Sequence, residues 1–101
     1  MELVVSYYDY GLLRGHHQSE TREVRIPVKV RRMFDISFCH FKIKKVHKNT
    51  MSVTLSSSVG LICNSPLMPG VNSVFEVGQE KRTFSTDTLD GGVVMEIWIE
   101  E

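Results

Sequence analysis

Apolar and polar side chains alternate along much of this chain. The cleanest instance is REVRIPVKVRR, where Val24, Ile26, Val28 and Val30 interleave with Glu23, Arg25, Pro27, Lys29 and Arg31. A period of two predicts a strand with one face in a core and the other in water. Pro27 falls on the wet face and has no N–H to give to a ladder, so this strand is expected at a sheet edge or beside a bulge. GGVVMEIWIE repeats the pattern, with Val93, Met95, Ile97 and Ile99 on one face and Val94, Glu96, Trp98 and Glu100 on the other. Between these, TMSVTLS turns Met51, Val53 and Leu55 inward, while ELVVSYY, VGLIC, SVFEV and RTFST are shorter runs of strand-forming residues.

FDISFCHFKIKKVHKN, residues 34–49, is less regular. Phe34, Phe38 and Phe41 fall at helical spacing, but the window is dominated by Phe, Ile, Val, His, Cys and Ser, which are poor helix formers. As a strand, Ile36 and Phe38 share one face whereas Phe41 and Ile43 share the other. One extra residue reverses the alternation, so a bulge near Cys39 and His40 is expected. That places Phe38 and Phe41 in the core and turns Lys42 and Lys44 outward.

The connections carry turn chemistry. HKNT offers Asn49, LDGG offers Asp90, Gly91 and Gly92, NSPLMPGVN is a longer loop with two prolines, and YGLLRGHHQSE reads as a long, partly mobile connection. About seven or eight short strands at this spacing predict an all-β fold, a single small antiparallel β-sandwich or barrel occupying residues 1–101 as one domain. The absence of alanine, the strongest helix former, points the same way.

Composition narrows the setting. A chain of 101 residues is too short for two cores, and its apolar (42%) and charged (24%) fractions are those of a folded globule. No run approaches the roughly 18 apolar residues of a membrane helix. The opening MELVVSYYDYG has neither a basic segment nor a continuous apolar one, so no signal peptide is expected and the cytoplasm is the expected compartment. Cys39 and Cys63 have no CxxC spacing; they are expected as buried free thiols, with a disulfide only if the protein is exported.

Charge is distributed unevenly. Residues 22–48 hold nine basic side chains and two acidic ones, a local charge of +7 in a chain that is neutral overall. Such polarity concerns partners rather than fold. If residues 23–31 and 36–45 form a hairpin through RRMFD, then Arg25, Lys29, Arg31, Lys42 and Lys44 share one exposed face. Either the basic strands lie beside the C-terminal strand and are compensated by Glu96 and Glu100, with Trp98 covering lysine stems, or they form an open patch for an acidic partner. Tyr7, Tyr8 and Tyr10 in YYDYG add a second candidate contact, a tyrosine-rich loop, since tyrosine gives large contact area at low entropic cost.

Catalytic signatures are absent. The chain contains no phosphate-binding glycine loop, HExxH, GxSxG or SxxK, and Ser56, Ser57 and Ser58 read as a polar turn. His16 and His17 are adjacent, and His40 and His47 fall on opposite faces of an unbulged strand, so no metal site and no cofactor are expected. The expected function is a non-catalytic protein-binding domain, an inhibitor, immunity-type or adaptor module, whose partner presents an acidic surface. The contacts are Arg25, Lys29, Arg31, Lys42, Lys44, Tyr7, Tyr8 and Tyr10. A nucleic-acid-binding β-barrel using the basic face of residues 22–48 is the alternative, and it needs exposed aromatics beside that face. A small hydrolase would need a concave site with a histidine near a carboxylate or thiol. No membrane partner is expected, and self-association would use an edge strand.

Overall fold

The structure, a computed structural model, describes residues 1–11, 15, 17–63, 70–86 and 90–101. It is all-β: one curled antiparallel sheet of nine strands forming a half-barrel. The strands are β1 (Glu2–Gly11), β2 (His17–Gln18), β3 (Arg22–Pro27), β4 (Met33–Ile36), β5 (Cys39–His47), β6 (Ser52–Cys63), β7 (Val71–Val77), β8 (Arg82–Thr86) and β9 (Gly91–Glu100). Most of the long connection after Gly11, the two-proline loop at 64–69 and residues 87–89 of the turn before Gly91 lie outside the described residues.

The main path through the sheet runs β2-β1-β9-β8-β6-β5-β4, with β3 also paired to β1 and β7 to β6. β6 is the element that makes one sheet of two halves. Its first half pairs with β5 at residues 52–57, and its second half pairs with β8 at 61–63, while β7 stays alongside both. The runs TMSVTLS and VGLIC are therefore one long strand with an irregularity between Ser56 and Leu61, and the three serines 56–58 lie within it rather than in a turn.

Alternation aligns the inner face. Leu3 and Val5 of β1 stand between Ile26 and Val24 of β3 and Ile99 and Ile97 of β9, and these rows join Phe41, Ile43, Val53, Leu55, Leu61, Phe75, Val77, Phe84, Val93 and Met95 in one core. Each such side chain, fully buried, contributes roughly 1.5–3 kcal/mol. Aromatic contacts link the two halves: Phe34 stacks on Phe41 at 5.1 Å, Phe41 meets Phe75 edge-on at 6.4 Å, and Phe75 lies 4.5 Å from Phe84.

Three expectations change. The run 23–31 is strand only to Pro27; residues 28–32 form a connection in which Val30 is 56% exposed rather than inward. Its partner is β1, not residues 36–45, so the hairpin through RRMFD does not exist. Residues 34–45 turn sharply instead: β4 and β5 form a hairpin whose two-residue loop is Ser37 and Phe38. Ser37 alone has positive φ (55°), the pattern of a type II′ turn. The parity reversal that suggested a bulge at Cys39 is this turn, and it leaves Phe38 47% exposed at the tip instead of in the core. A bulge does occur, at Lys44, between the Ile43–Leu55 and Lys45–Thr54 pairs.

Candidate functional site

The basic residues divide between two regions. Arg25 sits on the outer face of β3, opposite Val4 of β1, which in turn opposes Trp98 of β9. Its guanidinium donates to Glu100 at 3.0 Å and lies 3.3 Å from Glu23 and 3.9 Å from Glu2. The Trp98 ring N–H donates to the other Glu100 oxygen at 2.7 Å, and Lys81 Nζ stands 4.4 Å from the centre of the Trp98 ring. The indole N–H first, and then Arg25, hold the Glu100 carboxyl below its ordinary range; Glu100 likewise raises Arg25. This cover explains why Val4 is fully buried although it faces away from the core. Compensation by the C-terminal strand is thus real for Arg25, through Glu100.

The other basic residues have no such cover. Lys29, Arg31 and Arg32 lie in the β3–β4 connection, and Lys42, Lys44 and Lys45 on β5, with Lys48 following it. Arg31 adopts a left-handed backbone (φ 69°), and its N–H donates to the Ile43 carbonyl, while the Ile43 N–H donates to Arg32. Two residues oppose one, a bulge that fastens the connection to β5. Arg31, Lys42 and Lys44 are brought together in this way, with Lys29 two residues from Arg31. β5 neighbours β4 and β6, not β9, so Glu96 and Glu100 are not across from these lysines. Among the described residues none of Lys29, Arg31, Arg32, Lys42, Lys44, Lys45 or Lys48 has a carboxylate within 4.0 Å.

Apolar side chains accompany this charge. Met33 on β4, directly opposite Lys42, is 71% exposed, and Val30 and Phe38 are the other exposed apolar residues of this end. Met33, Phe38, Arg32 and Lys45 did not emerge from sequence reasoning as site residues. Phe38 was hidden because its turn contains neither Gly nor Asn, the usual signal for a two-residue hairpin.

The tyrosines are elsewhere, and not on a loop. Tyr7, Tyr8 and Tyr10 are half-buried residues of β1, Tyr7 turned inward against the core. Tyr8 lines a shallow groove of about 260 Å³ with Ser6, Thr21, Thr83, Val94 and Glu96 on the outer face of the other half of the sheet. The eight candidate residues therefore do not form one surface.

A histidine does lie beside a carboxylate. His40 Nδ1 is 2.6 Å from Asp35 Oδ1 across the β4–β5 pair, and the His40 backbone N–H donates to Ser58 Oγ at 3.0 Å. Both side chains are two-thirds exposed on the outer face of the curl, not in a concavity. The neighbouring Cys39 thiol is fully buried. Burial first, and then the charge of Asp9, push it up to about 11, away from the thiolate a nucleophile requires. Asp9 reaches this end because the Ser37 hydroxyl donates to it, tying the β4–β5 turn to β1. The bulge at Lys44 turns His47 to the same face as His40, where it meets Thr54 at 3.1 Å and Glu76 at 3.7 Å. Among the described residues no three metal-ligating side chains converge, and His16 lies outside those residues. Both cysteines are free and buried. Among the described residues no helix is long and apolar enough to cross a membrane.

Compared with protein-family models, curated proteins and solved structures, the chain matches none.

Proposed function

We propose that this chain is a non-catalytic protein-binding domain whose contact surface is the β4–β5 hairpin with the β3–β4 connection, and whose partner presents an acidic surface. One observation carries the reading: among the described residues seven basic side chains within 28–48 have no carboxylate partner, although Arg25 pairs with three. A cluster of like charges disfavours the compact state and is offset when a complementary surface docks. Exposed Met33, Val30 and Phe38 supply the apolar contact that turns attraction into residence. Arg25 and the tyrosines drop out of the contact set. Two unpaired, buried thiols suit the reducing cytoplasm, where we place the protein.

A nucleic-acid reading draws on one finding, the exposed ring of Phe38. Single-stranded binding uses several stacking platforms beside a basic groove, and here Phe34 and Phe41 are stacked on each other. The test is affinity capture from the source cell with the native chain and with a Lys42→Glu, Lys44→Glu double variant, at two salt concentrations. Acidic proteins retained by the native chain and lost by the variant are the expected result. Material released by nuclease would transfer the surface to nucleic acid, and identical captures by both chains would overturn the proposal.

A further inference from the structure

The β4 edge carries a more specific consequence, which rests on the protein-binding reading. Ile36 and Cys39 flank the two-residue turn, so they form a hydrogen-bonded pair, and alternate pairs follow the same rule: Phe34 with Phe41, then Arg32 with Ile43. The Ile43 N–H donating to the Arg32 carbonyl at 2.8 Å fits that phase. The N–H and C=O groups of Met33 and Asp35 therefore point the other way, off the end of the sheet, where β4 has no neighbour among the described residues. Four ladder positions stand open on a strand bordered by Arg31, Arg32, Lys42 and Lys44.

We infer that the β4 edge takes an extended acidic segment of another protein as an added antiparallel strand, its main chain bonded to Met33 and Asp35. Charge selects the occupant. A second copy of this chain would set one uncompensated basic hairpin against another, and like charges across paired strands are destabilising. A segment alternating carboxylate and apolar residues fits both sides of the edge. Its carboxylates lie on the outer face with Lys42, where Asp35 is already engaged by His40 at 2.6 Å, and its apolar residues lie beside the half-buried ring of Phe34. The exposed edge of β7, with Val71 and Val74, has no comparable charge to name its partner.

The probe is a ten-residue peptide alternating glutamate and valine, with a control copy N-methylated at every second amide. Fluorescence anisotropy at low salt measures affinity, and hydrogen exchange reports the Met33 and Asp35 amides. The expected result is at least tenfold tighter binding of the unmethylated peptide, protection of both amides, and at least a tenfold loss with Met33→Pro, which removes one edge N–H without touching a charge. Equal binding of the two peptides overturns strand addition while leaving a basic docking surface in place. Failure of both peptides to bind overturns the surface as well, and tighter binding of an oligothymidylate reassigns it to nucleic acid. Because methylation alters only the probe, the comparison stands even if Met33→Pro lowers stability.

Discussion

At the β3 edge the backbone positions that point away from the sheet belong to Glu23, Arg25 and Pro27, since the Val28 N–H bonds the Met1 carbonyl and fixes the phase. Pro27 has no N–H to offer, and Arg25 and Glu23 are held in an ion-pair cluster with Glu2 and Glu100. At the β4 edge the corresponding residues are Met33 and Asp35, with no proline and, among the described residues, no carboxylate paired with the arginines beside them. Proline on an edge is a recognised protection against unwanted strand addition, because it has no N–H to offer. The β3 border thus carries a proline that the β4 border lacks, and the two ends of the sheet differ in how their edges are protected.

Replacing Phe41 by alanine should break the contrast most severely. Its ring is fully buried between Phe34 and Phe75, and its loss should cost about 3–5 kcal/mol. Denaturant unfolding would measure that cost, and hydrogen exchange should show β4 and β5 opening before β1 and β9.

Matched charge reversals sharpen it. Arg25→Glu places a fourth carboxylate among Glu2, Glu23 and Glu100 and uncovers Trp98 and Val4, so the melting temperature should fall. Lys42→Glu should leave stability within about 0.5 kcal/mol, because no carboxylate partner is lost. Equal thermal shifts in the two variants would erase the difference between the edges.

The smallest effect concerns the Cys39 thiol, just behind the β4 turn. Folding favours its protonated form, so that contribution is complete below the ordinary thiol range and is lost as pH rises toward about 11. Chemical denaturation at pH 8 and pH 10 should show lower stability at the higher value. Alkylation at pH 8 should be slower than for a free thiol by on the order of 100-fold.

The period-two runs made β9 and the first half of β6 legible from side chains alone, because each has one face in a single core. Pro27 likewise announced its edge. Pairing partners were not legible, since strands 23–31 and 36–45 had compatible patterns and nothing local said that β1 would lie beside β3. The Arg25 cluster follows from that pairing and was visible only as charge. The β4 edge was hidden for a different reason: its turn places Ser37, a non-glycine, at positive φ, a cost that tertiary packing and the bond to Asp9 offset. Basic composition pointed to a surface of this sign; topology decided that Arg25 was the member neutralised by neighbouring carboxylates.

The pairing of Glu2 with Glu100 and of Gly11 with Gly91 also bears on the order in which the sheet assembles. β4, β5, β6 and β7 are joined by successive hairpins, whereas β1 must find β9 across nearly the whole sequence. Loop closure costs more as the loop lengthens, and distant pairings set the pace of folding. Local hairpins are therefore expected to form first, the β4–β5 hairpin among them, with the β1–β9 pairing completed later. If strand addition at β4 holds, an acidic segment present during that interval would compete with the protein's own unplaced strands, and would act on the pathway as well as on the finished domain.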